Sequence, residues 1–225
     1  MDAQVITVTS VNDQLWADYA CKSIGTWSTQ PRIYWEHKDV DPKWDAWRNS
    51  NRHRQEPDFK HTWRRFSYKV QHQLSAWREY QTTHDYLIWM DADVVELSKP
   101  TREFLEDCLP IRREGTQYLD DSDTLSYLGR GDDYHPETGY ICYDLTNPRL
   151  PQLMLRLEEV YLSNEIFTLK EWHDAYVWDQ VCRSQQLCRR NLCEQPYKQG
   201  EAFGRSRLKK HYEHLKGARK EQLKT

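Results

Sequence analysis

Apolar and polar positions fall in blocks whose period changes along the chain. Val5-Ile-Thr-Val-Thr9 is a β-branched run followed by Ser10, Asn12 and Asp13, the pattern of a strand leading through a turn into a helix cap. Leu15, Tyr19, Ile24 and Trp27 then fall near one helical face, and beyond Pro31 a short second strand, Arg32–Glu36, completes a β-α-β opening. From 39 to 62 the chain turns polar, with two prolines and the basic residues Arg48, Arg52, Arg54 and Lys60, and reads as a long excursion. Helical spacing returns at Trp63–Tyr80, where Phe66, Val70, Leu74 and Trp77 are four, four and three residues apart. A buried-looking strand follows within Asp85–Val95, another at Thr138–Leu145, and helices at Pro148–Tyr161 and Trp172–Cys182. Strands alternating with helices predict an α/β sandwich whose strand ends hold the ligand site.

The strand at 85–95 runs directly into Asp91 and Asp93. Side chains at i and i+2 share a face of a strand, so both carboxylates can converge on one divalent cation. Hard oxygen ligands favour magnesium, manganese or calcium over zinc. With 225 residues and no linker-like tract, the chain is expected to form one domain over 1–225. Ten tryptophans exclude disorder and supply rings for a core or a cleft. A net charge of -3 excludes nucleic-acid binding through overall charge and leaves a local basic patch open. The N-terminus lacks an export pattern and no run reaches membrane-spanning length, so a cytoplasmic location without a membrane partner is expected. No obligate protein partner is evident. The six cysteines are scattered or lack paired Cys-x-x-Cys spacing and are expected to be thiols.

The basic tail, 203–225, contains His214-x-x-Gly217-x-x-Lys220. Together with Trp89-Met-Asp91-Ala-Asp93, this resembles the GT-A glycosyltransferases, especially the branch whose C-terminal His-x-x-Gly-x-x-Lys closes over a sugar-nucleotide diphosphate. The resemblance implies a Rossmann-like mixed central sheet flanked by helices. It implies a hexosyltransferase that moves a sugar from a nucleotide-diphosphate donor, UDP-hexose first, to an acceptor hydroxyl. Mn2+ or Mg2+ would be held by Asp91, Asp93 and His214, and the diphosphate by Lys216, Gly217 and Lys220. Glu137, Thr138 and Gly139 match the strand beneath the donor sugar, although Asn and a small residue are usual where Glu137 and Thr138 stand, which leaves donor specificity open. Thr9, Ser10, Arg65 and Lys69 match positions that contact the nucleotide.

Glu171–Gln180 places His173, Asp174 and Asp179 near the start of a helix. An attacking hydroxyl must lose a proton, so a carboxylate here suits a general base, Asp174 first and Asp179 second. Asp179-Gln180 also resembles a pair that supports the donor sugar in the retaining branch, so stereochemistry stays open. The arrangement is similar to compact bacteriophage and bacterial enzymes, which brings in DNA carrying hydroxymethylated bases as one acceptor class, in a host cytoplasm if phage-encoded. Trp44, Trp47, Arg48, Arg52, Arg54 and Trp63 would then stack on bases and pair with phosphates. A glycan, lipid or protein is the alternative acceptor. A metal-dependent phosphohydrolase and a noncatalytic sugar-binding module are the competing classes.

Overall fold

The structure, a computed structural model, describes residues 3–28, 31–112, 122–130, 135–193 and 202–215. In chain order its strands are β1 (Val5–Val11), β2 (Arg32–Trp35), β3 (Tyr86–Met90), β4 (Val94–Glu96), β5 (Leu125–Leu128), β6 (Glu137–Asp144), β7 (Arg189–Asn191) and β8 (Tyr212–His214). Six of them form one sheet in the order β2-β1-β3-β6-β5-β7, and β4 and β8 form a separate ribbon. β1 is parallel to β2 and β3, β6 is antiparallel to β3 and β5, and β7 is parallel to β5. This is the expected Rossmann-like mixed sheet flanked by helices.

The helices are α1 (Gln14–Ile24), α2 (Pro42–Ser50), α3 (Trp63–Tyr80), α4 (Arg102–Asp107), α5 (Leu150–Leu162), α6 (Asp174–Ser184) and α7 (Ala202–Arg205). Every residue of β3 is buried, as a strand covered on both faces must be. Strand periodicity then divides the core. Ile6, Val8, Leu87, Trp89, Ile141 and Tyr143 pack in one cluster with Val70, Leu74, Leu153 and Val177 of α3, α5 and α6. The alternate residues Tyr86, Ile88, Met90, Tyr140 and Cys142 pack in a second cluster with Ile24, Phe203 and Tyr212.

Two expectations are corrected. Asp13 does cap α1, its Oδ1 accepting the Trp16 N–H at 3.0 Å, but the buried face is Ala17, Ala20, Ser23 and Ile24. Leu15 and Tyr19 are only half-buried. Small side chains let the helix lie closer to the sheet than Leu and Tyr would.

The excursion at 39–62 contains α2, with Pro42 at its start and Asp41 accepting from the Lys43 N–H at 2.8 Å. α2 drives Trp44 and Trp47 into the core beside Trp63, Tyr161 and Phe167, and Trp44 and Trp63 have 0% exposure. Rings so placed present no face to a nucleic-acid base, which corrects the stacking role expected of Trp44, Trp47 and Trp63. Arg48 is buried too, donating to Gln71 Oε1 at 2.8 Å and lying 3.9 Å over the Tyr68 ring. Arg54 donates to Asn51 Oδ1 at 2.8 Å and covers Phe167, whereas Arg52 is exposed. Among the described residues, no helix is long and apolar enough to cross a membrane.

Trp63→Ala should destabilise the chain by about 3–5 kcal/mol, since it leaves a ring-sized cavity against Trp47 and Phe167. Urea denaturation followed by circular dichroism measures this, and a loss under about 1 kcal/mol would contradict the packing described.

Candidate active site

β3 ends at Met90, and Asp91–Asp93 form the turn beyond it. The Asp91 N–H donates to the Gly139 carbonyl at 2.9 Å and the Val94 N–H to the Asp91 carbonyl at 3.0 Å, which swings the chain out into β4. β4 pairs with β8 so that Val94 opposes His214, and the Leu215 N–H donates to the Asp93 carbonyl at 2.9 Å. The ribbon thereby delivers His214 from the far end of the chain. His214 Nε2 lies 2.9 Å from Asp93 Oδ1 and 4.0 Å from Asp91 Oδ2, while Nδ1 lies 3.7 Å from Glu137 Oε1. One ligand atom from each of Asp91, Asp93 and His214 lies within 4.8 Å of the others. A Cβ on Gly139 would stand 2.9 Å from the His214 ring, so glycine here makes room for the imidazole.

Lys69 enters from α3. Its Nζ is 2.7 Å from Asp91 Oδ1, 2.8 Å from Asp174 Oδ2 and 2.9 Å from the Thr138 carbonyl. Trp89 Nε1 donates to Asp91 Oδ1 at 2.9 Å, and Thr138 Oγ1 donates to Asp174 Oδ2 at 2.6 Å. Burial pulls the Lys69 ammonium down, but the carboxylates of Asp174 and Asp91 outweigh it and hold its pKa above the usual lysine value. For Asp174, burial pushes up while Lys69, His173 and the Thr138 hydroxyl pull down, and the net result is a carboxyl below its usual range. A carboxylate held in this way is ionised and weakly basic, which fits poorly with a group that must accept a proton in the transition state.

A cavity of about 410 Å³ opens from Asp91 and Asp93 to the C-terminal ends of β1 and β2. Asp91, Asp93, Lys69, Arg65 and Ser10 line it, as do Asn12, Trp16 and Glu36, which were not expected as site residues. Their position just past two neighbouring parallel strands was the available signal. Burial pushes the Glu36 carboxyl up despite the opposing fields of Arg65 and Arg48. Ser10 Oγ shares a hydrogen bond with His72 Nδ1 at 2.7 Å.

The other expected residues lie elsewhere. Thr9 is fully buried and does not line the cavity, because alternation along β1 turns it away from Ser10. Asp179 is buried between Arg183 Nε at 2.7 Å and Arg189 Nη1 at 3.1 Å, and Gln180 is exposed. Five or six residues beyond Asp174, α6 has turned both off the face that Asp174 presents to Lys69. Lys216, Gly217 and Lys220 lie outside the described residues.

Among solved structures, the chain is similar to a glycosyltransferase involved in the glycosylation of the major capsid of PBCV-1, at 11% identity over 98% of each chain, with a TM-score of 0.54. It is also similar to the glycosyltransferase GlyE of Streptococcus pneumoniae TIGR4, at 12% identity over 84% of this chain and 45% of that one, with a TM-score of 0.49. Mouse xyloside xylosyltransferase 1 gives 9% identity over 86% of each chain and a TM-score of 0.46. No family model and no curated protein matches the chain. The likeness to the first structure is one of fold, and it spans the whole mixed sheet and its helices.

Lys69→Met should cost about 3–5 kcal/mol near neutral pH, because it strands buried Asp174 beside Asp91 without a counter-ion. The stabilisation from a depressed carboxyl is fully present above the unfolded pKa of about 4 and is lost as pH falls through the folded value. The deficit of Lys69→Met should therefore shrink below about pH 4. Urea midpoints at both pH values test this, and an unchanged deficit in acid would count against the pairing.

Proposed function

We propose that this chain is a metal-dependent glycosyltransferase, a hexosyltransferase that uses a nucleotide-diphosphate sugar, UDP-hexose first, and an acceptor hydroxyl. The observation that carries this reading is the convergence of Asp91, Asp93 and His214 at the mouth of a cavity lined by Trp16, Arg65 and Lys69. Carboxylate oxygens and one imidazole nitrogen suit Mn2+ or Mg2+, with the nitrogen favouring Mn2+. A cation held there would neutralise the diphosphate and stabilise it as the leaving group.

The chain's own residues divide the remaining work. Asp93 Oδ1 and His214 Nε2, 2.9 Å apart, would hold the cation together with Asp91, with the Glu137 carboxylate 3.7 Å from Nδ1 on the other side of the ring. Trp16 offers a flat face to the base, Asn12 and Ser10 offer hydrogen bonds to base or ribose, and Arg65 offers charge to the phosphates. Lys69 carries a fixed positive charge to the sugar side, where its low exposure strengthens it. Asp174 and Thr138 fix Lys69 from behind, so Asp174 acts in positioning. By the tail motif, Lys216, Gly217 and Lys220 would bind the diphosphate. The whole of 1–225 acts as one domain in the cytoplasm. With Trp44, Trp47 and Trp63 buried, a hydroxyl on a glycan, lipid or protein is favoured over modified DNA as acceptor.

Thermal melting with a panel of nucleotide sugars, with and without Mn2+, should show stabilisation by a UDP-hexose that requires the cation. Asp93→Ala should abolish that dependence and lower donor turnover by at least about 100-fold while the metal-free melting temperature is retained. Turnover equal to the parent chain would reject the proposal.

A further inference from the structure

We infer a second divalent-cation site, built from His135, Glu171 and His173 and suited to zinc. It is separate from the Asp91, Asp93 and His214 cluster and does not rest on the proposed transferase activity. His135 stands just before β6, Glu171 lies just before α6, and His173 is the N-cap of that helix. One ligand atom from each of the three residues lies within 4.8 Å of the others. Glu171 and His173 side chains are 7% and 5% exposed, with His173 Nε2 donating to Glu171 Oε2 at 2.9 Å. Glu171 Oε1 accepts from Lys60 Nζ at 2.8 Å, which orients the carboxylate from outside and leaves Oε2 facing the histidines.

His135 packs against the His173 ring at 4.5 Å between centroids, and neither of its ring nitrogens makes a hydrogen bond among the described residues. Burial first, then the fields of His173 and Arg130, hold its pKa down at about 4, so near neutrality it presents an uncharged lone pair. Burial raises the Glu171 carboxyl, but hydrogen bonds from Lys60 and His173 outweigh it and bring it to about 2, so the carboxylate is ionised. Two imidazole nitrogens and a carboxylate oxygen form a donor set that zinc takes with a fourth position open. Phe59 and Phe66 pack on the His173 ring at 6.2 and 6.0 Å and wall the site with apolar surface.

Loading the site rearranges one proton. His173 Nε2 gives up its hydrogen bond to Glu171 and binds the ion, and the imidazole proton moves to Nδ1, so its charge is unchanged. The Tyr176 N–H then loses its contact to Nδ1, which at 3.4 Å is at the limit of a hydrogen bond. That is one weak cap exchanged for coordination by three groups. Occupied, the site ties the start of β6 to the start of α6, the segments that carry Thr138 and Asp174.

Zinc titration of the full chain and the visible spectrum of its Co2+ form test this, with Asp93→Ala used to remove the other cluster. The Asp93→Ala chain should still bind one zinc ion and give the intense visible bands of tetrahedral Co2+. Adding His135→Ala or His135→Gln should weaken zinc by at least about tenfold and erase those bands, with the metal-free melting temperature preserved. An Asp93→Ala chain that binds no zinc, or the same affinity after either His135 substitution, overturns the site. Neither outcome bears on donor turnover, which depends on Asp93.

Discussion

One buried ammonium organises this molecule. Lys69 Nζ sits between Asp91 and Asp174 with its side chain 12% exposed, so it is tolerated only while both carboxylates stay in place. Those two acids come from the end of β3 and the start of α6, and the Thr138 carbonyl that also binds Lys69 comes from the start of β6. Four elements are therefore obliged to meet at one point. The cavity exists because the ends of β1 and β2 lie beside that point and Arg65, one turn earlier on α3, reaches its rim.

The same constraint explains how Asp91 is shared. Its Oδ1 is taken by Lys69 and the Trp89 indole, while Oδ2 is turned toward His214. Trp89 is thus a core residue whose single polar atom serves the site. A cluster holding both signs stays preorganised for a ligand whose own charges complete it.

Much of this was legible in the sequence where the signal is local or the motif is ordered. The run into Asp91 and Asp93 marks β3 because an all-apolar strand can only be covered on both faces, and His214 was expected beside it from the tail motif. The rest needed tertiary information. Asp174 was ranked ahead of Asp179 among the acids near one helix start, and helical rotation gives Asp174 to Lys69 and Asp179 to Arg183 and Arg189. Of the large side chains by which α1 was read, Ile24 and Trp27 are buried, while Leu15 and Tyr19 give way to the small Ala17 and Ala20. β4, β5, β7 and β8 are only three or four residues long, and their pairing depends on partners far away in the chain.

The excursion at 39–62 shows why composition misled most. Its basic residues and tryptophans resemble an exposed binding loop, yet Arg48 is buried on Tyr68 and Gln71 while Trp44 and Trp47 anchor α2 on α5 and the turn at Phe167. Anchored there, the segment behaves as a strap. Its far end holds a single turn, Phe59–His61, whose Lys60 carbonyl accepts from the Trp172 N–H at 2.7 Å and whose ammonium reaches Glu171 at 2.8 Å. The strap therefore fixes the approach to α6, and with it the orientation of His173 and Asp174. The buried rings act on the chemistry through backbone placement, which is why their substitution is felt first as lost stability and only through that as lost function.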